Sequence, residues 1–457
     1  LQNEAKNATI TPMTALSPLP YKGTRDYYPQ DKRVQNYIFA MWRKVAEQYG
    51  YEEYGTPLLE PLDVYAAKSG QEIVNDQTYT FMDRGDRQVA IRPEMTPSVS
   101  RLVAQRRQEM AYPARLYSIA NFMRYERPQR GREREFWQLN VDMFGVDDMV
   151  ADSEIICLGN DILKAFGATP EMYTIKINNR KVIQHMMAEY LGLDVMQAAQ
   201  MMKLLDRKNK ISPEDFRDQA LAIFDGTAAQ EGLARLAKLI SAKRLEDLPP
   251  QILDSEVMLE VRELFRYLTQ NGVSNAVFDI TLMRGLDYYT GTVFEFFDTD
   301  PENNRSLFGG GRYDGLVGLF GAEPISAVGV APGLTTTELF LRSHKLLPAF
   351  HSTTEVYIVV LDGGRAAANE LARELRAEGV KTELDITDRK ADKQIKTALK
   401  KDIPFVIFVG AEEAATKLYS FKVTASTEEK QLSFERIVST VKDKRIKRES
   451  DIDDLFV

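Results

Sequence analysis

The chain has 457 residues, 44% hydrophobic and 28% charged, which excludes a wholly disordered protein and leaves room for about three domains. A formal net charge of −8 argues against a protein that coats nucleic acid indiscriminately. One cysteine, Cys157, rules out a disulfide scaffold, and three scattered histidines, His185, His344 and His351, argue against a Cys/His zinc centre or a histidine-activated nucleophile.

Residues 1–20 have neither the basic start nor the apolar core of a secretory signal and read as a flexible tail. No apolar run approaches the ~20 residues of a membrane span, so a cytoplasmic protein is expected. From Asp31, the residues Val34, Ile38, Trp42, Val45 and Tyr49 recur at helical spacing up to Gly50, a stop signal. YTFMDRGDRQVAIRPEMT (79–96) predicts two strands around an Asp-Arg-Gly-Asp turn. RLYSIANFMRYE (115–126) and EFWQLNVDMFG (135–145) predict a second pair, around a loop holding Arg127, Arg130, Arg132 and Arg134. Four neighbouring strands with short connections favour an antiparallel sheet.

Cys157, in EIICLGNDIL, reads as a packed thiol in a helix. From about 178 to 268 the texture turns helical, with a Met-rich face that predicts core packing. Strand character returns in TVFEFF, FGGGRYDGL and AVGVAPGL, so the helical block reads as an insertion within one domain spanning 21–343. After a linker near 344–354, EVYIVVLDGG begins a strand–helix–strand unit, and residues 353–457 read as a small α/β domain with parallel strands.

Strand alternation puts Arg124 and Glu126 on one face of their strand, and Phe136, Gln138, Asn140 and Asp142 on one face of the next. Arginine forks suit phosphates and carboxylates, and a ring can stack on a base, so this floor predicts a nucleotide with its phosphates toward the loop. The plainer alternative is a hairpin with a solvated, charged tip. Arg92, Glu94 and Thr96 form a second polar face, and Arg284, Asp287, Tyr288 and Tyr289 around Gly285 a third. With Gly309, Gly310 and Gly311, where a backbone can approach a ligand closely, they predict one polar pocket in a sheet.

RPEMT, the arginine–x–glutamate of FMRYERPQRGR, QLNVD, RGLDYYTG and GGGRYDGL together resemble the histidyl-tRNA synthetases, a class II aminoacyl-tRNA synthetase family. GTRDYYP and YGTPLLEP agree, with Pro57 where that family's first dimer-interface motif ends. The resemblance runs in order from about Tyr21 to Gly333 and more loosely beyond. It implies an α/β architecture: a class II antiparallel sheet flanked by helices, a helical insertion, and a C-terminal α/β domain that reads the anticodon. It implies ATP as substrate with Mg²⁺, histidine and tRNA(His) as partners, a homodimer, and no metal site of the protein's own.

By the same resemblance, Arg124 meets the ATP α-phosphate and the histidine carboxylate, Glu126 the adenine amino group and Arg132 the γ-phosphate, while Phe136 stacks on adenine. Glu94, Thr96 and Gln138 hold the α-amino group. Asp142 meets the imidazole with Tyr289, beside Tyr288, and Arg284 stands as catalytic arginine beside the reacting carboxylate. The third motif departs from the family. Thr336, in GVAPGLTTTEL, stands where an arginine is expected, so Arg130 or Arg312 is expected to substitute. That departure keeps open a histidine-binding, non-catalytic alternative, the regulatory subunit of ATP phosphoribosyltransferase. Lys390, Lys393, Lys396 and Lys400 form a basic helix stripe in the domain matched to anticodon binding, and Gln129 and Arg130 are expected to face the tRNA acceptor end.

Overall fold

The computed structural model describes residues 16–66, 76–208, 211–224, 226, 229–242, 244–282, 288–303, 305–426 and 429–453. Most of the N-terminal tail, and Arg284, Gly285 and Asp287 of the third polar cluster, lie outside the described residues. The chain divides into two units, Leu1–Leu347 and Pro348–Val457.

The first unit carries strands β1 (Glu52–Glu53), β2 (Leu59–Pro61), β3 (Thr80–Met82), β4 (Gln88–Ile91), β5 (Ala114–Met123), β6 (Glu135–Phe144), β7 (Tyr173–Asn179), β8 (Ala276–Phe278), β9 (Thr292–Asp298), β10 (Ser306–Arg312) and β11 (Ala327–Val330). Eight of them form one sheet in the order β1-β5-β6-β11-β10-β9-β7-β8. Only the outer pairs β1/β5 and β7/β8 are parallel. At its centre β5 and β6 pair antiparallel from Ala114↔Phe144 to Met123↔Glu135.

One face of this sheet is closed by helices. The helix Pro29–Gln48 buries Val34, Ile38, Met41, Trp42 and Val45, starts on a proline and runs out before Gly50, whose φ is +77°. The helix Met149–Ala165 is capped by Asp148, which accepts from the Val150 amide at 2.8 Å. It buries Cys157 and passes so near Phe296 that a Cβ at Gly159 would sit 2.9 Å from that ring. The other face stays partly open around β6, β9 and β10.

Between β7 and β8 the helices from Arg180 to Gln270 build their own core, in which Met186, Met187, Met201 and Met258 are buried with Leu204, Leu236 and Leu239. A separate sheet, β2-β4-β3, leaves Leu58, Leu59, Phe81 and Met82 exposed. Among the described residues no helix is long and apolar enough to cross a membrane.

Two expectations need correction. β5 ends at Met123, so Arg124 and Glu126 lie beyond the strand, where the Glu126 amide donates back to Arg124 O at 2.8 Å. There the Arg124 amide still donates to Arg134 O at 2.8 Å, but the Tyr125 amide turns away to Gln77 O at 2.7 Å. The second unit is mixed rather than parallel. Its strands β12 (Val356–Val360), β13 (Thr382–Leu384) and β14 (Phe405–Val409) are parallel, but β15 (Tyr419–Val423) and β16 (Glu429–Leu432) continue antiparallel in the order β13-β12-β14-β15-β16. The link from β15 to β16 is too short for a crossover, and a hairpin follows.

Candidate active site

The open face holds a cavity of about 540 Å³. At one end, Arg124 donates from Nε to Pro93 O at 2.9 Å, which holds its guanidinium 5.3 Å from the centroid of Phe136. Phe136 is backed in turn by Phe122, with ring centroids 5.6 Å apart. Glu126 and Arg132 pair at 3.2 Å across the mouth. Gln129 and Arg132 exchange backbone hydrogen bonds at 3.1 and 2.9 Å around Gly131, whose φ of +79° lets the loop turn back so tightly. This end offers a flat ring, a fixed guanidinium and a carboxylate: surfaces for a base and a phosphate.

At the other end, Tyr288 donates to Glu94 Oε2 at 2.8 Å, with both groups buried. Burial beside Glu94 pushes the Tyr288 phenol well above its ordinary range, so it stays a donor. Tyr289 packs edge-on to Tyr288 at 5.0 Å. Gln138 spends its amide nitrogen on Ala331 O at 2.9 Å, which leaves its carbonyl oxygen to accept from an ammonium. Thr96 begins the helix Thr96–Gln105, whose N-terminal end meets the cavity.

Arg124, Glu126, Arg132, Phe136, Glu94, Thr96, Gln138, Tyr288 and Tyr289 thus share one cavity. Asp142 is deeper. It is 2% exposed, outside the lining, and accepts from the Tyr313 hydroxyl at 2.5 Å.

Residues 23–336 match the sequence model for histidyl-tRNA synthetase, and residues 355–444 match that for an anticodon-binding domain. The chain belongs to the histidyl-tRNA synthetase family. It is similar to the histidine–tRNA ligase of Leptospira biflexa, 41% identical over 425 residues covering 93% of this chain and 97% of that one. In fold it is similar to the histidyl-tRNA synthetase of Nostoc sp. PCC 7120, with a TM-score of 0.79 at 24% identity over 94% of this chain and all (100%) of that one. A Bacillus halodurans structure described as an ATP phosphoribosyltransferase regulatory subunit/histidyl-tRNA synthetase aligns with a TM-score of 0.73 at 25% identity, covering 87% of this chain and 100% of that one.

Against that family frame, both cations expected to replace the third-motif arginine fall away from the cavity. Arg312 is 3% exposed and buried against Asp152, and its Nη1 and Nη2 donate to Val146 O at 3.0 Å and Asp148 O at 3.1 Å. The buried Asp152 carboxylate has claimed it. Arg130 is exposed at the loop tip, outside the lining, and its carbonyl accepts from Arg305 at 3.0 Å. Thr336 itself donates to Leu307 O at 2.6 Å.

Two other arginines of the sequence motifs prove to be braces. Arg134 lies between Tyr125 and Tyr21, 4.1 and 5.5 Å from their centroids. Arg92 donates to Asn121 O at 2.9 Å and Thr56 O at 3.0 Å.

The lining also includes residues that sequence reasoning passed over. Glu133 accepts from Thr335 at 2.9 Å and lies 3.5 Å from Arg25, which also pairs with Glu338 at 2.9 Å. Glu295 lines the wall as well. So does Asn140, which strand alternation had already placed on the face shared by Phe136 and Gln138. The Glu133–Arg25 pair, which spans distant segments, carried no local signal.

Proposed function

We propose that the chain joins histidine to tRNA(His) through a histidyl-adenylate. Adenylation is an in-line attack of a carboxylate on the α-phosphate, so the enzyme needs no nucleophile of its own; it must bring two anions together and absorb developing charge. On this reading Phe136 stacks the adenine, Glu126 accepts from its amino group, and Arg132 leaves its pairing with Glu126 to meet the γ-phosphate. Arg124 spans the α-phosphate and the amino-acid carboxylate. Glu94, Thr96 and Gln138 take the α-ammonium, and Tyr288 and Tyr289 wall the ring, with Asp142 behind them. By the family resemblance, Arg284, outside the described residues, is assigned as the second arginine of the reaction. The observation that supports the reading is that Arg124, Glu126 and Phe136 line one cavity with Glu94, Gln138 and Tyr288.

Mg²⁺ fits as an ion that arrives on the triphosphate, because such ions keep most of their waters and need one or two carboxylates. Glu133 and Glu295 are the lining carboxylates suited to it, and bound there it would offset phosphate charge. The exposed Leu58 and Leu59 next to Pro57, with the exposed Phe81 and Met82 of β3, favour a homodimer through the small sheet; sedimentation as a single chain at micromolar concentration would refute it. Exposed Lys390, Lys393, Lys396 and Lys400 on the anticodon-binding unit favour phosphate contacts with tRNA. The enzyme is assigned to the cytoplasm, and cell fractionation checks this.

Pyrophosphate exchange with all twenty amino acids tests the activity. Histidine-dependent exchange is expected. Histidine binding without exchange would instead favour the regulatory-subunit reading.

A further inference from the structure

The third motif leaves the phosphate end of the cavity short of a cation. Thr336 stands where the family carries an arginine, and its hydroxyl donates to Leu307 O at 2.6 Å, so the position lies against the start of β10. Both residues line the cavity. Most cations nearby are already neutralised or unplaced. Arg132 pairs with Glu126, and Arg25 with Glu338 and Glu133. Arg127 and Arg130 are exposed, and among the described residues no contact holds either guanidinium at the mouth. Arg305 differs. It precedes Leu307 by two residues, at most about 7 Å of chain, and is exposed beside Ser306 and Leu307 of the lining. Its Nη1 donates to Arg130 O at 3.0 Å, which holds the guanidinium against the arginine loop next to Gly131 and Arg132. Among the described residues it pairs with no carboxylate.

We propose that Arg305 supplies the guanidinium that the third motif lacks, binding the ATP γ-phosphate together with Arg132 at the mouth of the cavity. The inference rests on the ATP-dependent reading above. A guanidinium held by a neutral carbonyl gains on meeting a phosphate oxygen, because a hydrogen bond to a charged acceptor is roughly twice as strong. Its move breaks no ion pair, whereas Arg25 would have to leave two carboxylates. On this assignment the cation is carried not by the helix Leu334–Ser343 but by the strand end bonded to that helix through Thr336. The contacts to adenosine and the α-phosphate do not involve Arg305, so its loss should separate ATP from AMP.

The test uses the full chain and its calorimetric affinities for ATP and AMP. Arg305→Ala should weaken ATP by about 10-fold and leave AMP within about twofold. In histidine-dependent pyrophosphate exchange, KM for ATP should rise by a similar factor while KM for histidine holds. Arg305→Lys, which keeps the charge, should recover part of the loss. Arg305→Gln, which can still donate to Arg130 O but carries no charge, should behave like Arg305→Ala. Because Arg305 is exposed, all three variants should keep the wild-type denaturation midpoint. Unchanged ATP affinity in Arg305→Ala, equal losses for ATP and AMP, or full recovery in Arg305→Gln would overturn the proposal; the last two would make Arg305 a brace of the loop. A wild-type chain that neither binds ATP nor supports exchange would overturn the functional reading as well.

Discussion

Tyr313, buried and outside the cavity lining, donates its hydroxyl at 2.5 Å to the carboxyl group of Asp142, a residue that is 2% exposed. Burial pushes the Asp142 pKa up to about 7, and the Tyr313 hydrogen bond offsets only part of that. The folded protein therefore binds this proton more tightly than the unfolded chain does. Between pH ~4 and ~7 the carboxyl should cost stability as pH rises, at up to about 1.4 kcal/mol per pH unit. Asp142→Asn, which can still accept from Tyr313, should be more stable than wild type at pH 8 and show no such gain at pH 4. Denaturant midpoints across that range check it; equal midpoints at both pH values would contradict it.

The two ends of the cavity should separate kinetically. Phe136→Leu removes the ring against which the Arg124 guanidinium is held at 5.3 Å. It should raise KM for ATP by about 3- to 10-fold while KM for histidine moves little. Arg124→Ala should lower kcat for exchange by about 100- to 1,000-fold. Equal effects of Phe136→Leu on both KM values would mean that the ring does not face the nucleotide.

Arg312 should behave as a structural residue. Removing it leaves Asp152, which is fully buried, without its cation. Arg312→Ala should cost about 3–5 kcal/mol in the denaturant stability of the first unit. The folded fraction should keep its KM for ATP, measured at low temperature. A raised KM for ATP without loss of stability would restore the nucleotide role that the sequence suggested.

Much of this site could be read from the chain alone, because its key residues lie in runs of two to five whose spacing is set by local geometry. The period of two along β6 puts Phe136, Gln138 and Asn140 on one wall whatever surrounds them. The fates of the arginines were not legible in that way. Arg312 is claimed by Asp152, 160 residues earlier, and Arg134 by Tyr21; such partners depend on how distant segments pack. Depth was hidden for the same reason, since alternation gives Asp142 its face but not the burial imposed by Tyr313.

The lysine stripe gives a prediction at the other unit. Replacing Lys393 and Lys396, both exposed, by Glu should lower kcat/KM for tRNA and flatten its salt dependence by roughly one logarithmic unit for each phosphate no longer neutralised. Amino-acid activation should be unaffected. An unchanged salt slope would mean the stripe is a solvated helix face.

On the proposed function, ATP and histidine occupy one continuous cavity, with Arg124 between them. The most direct measurement is calorimetric binding of a histidyl-adenylate mimic in which a sulfamoyl group replaces the phosphate. Saturating ATP and saturating histidine should each displace it, and Arg124→Ala should weaken it. Displacement by only one of the two substrates would mean that they do not share the cavity.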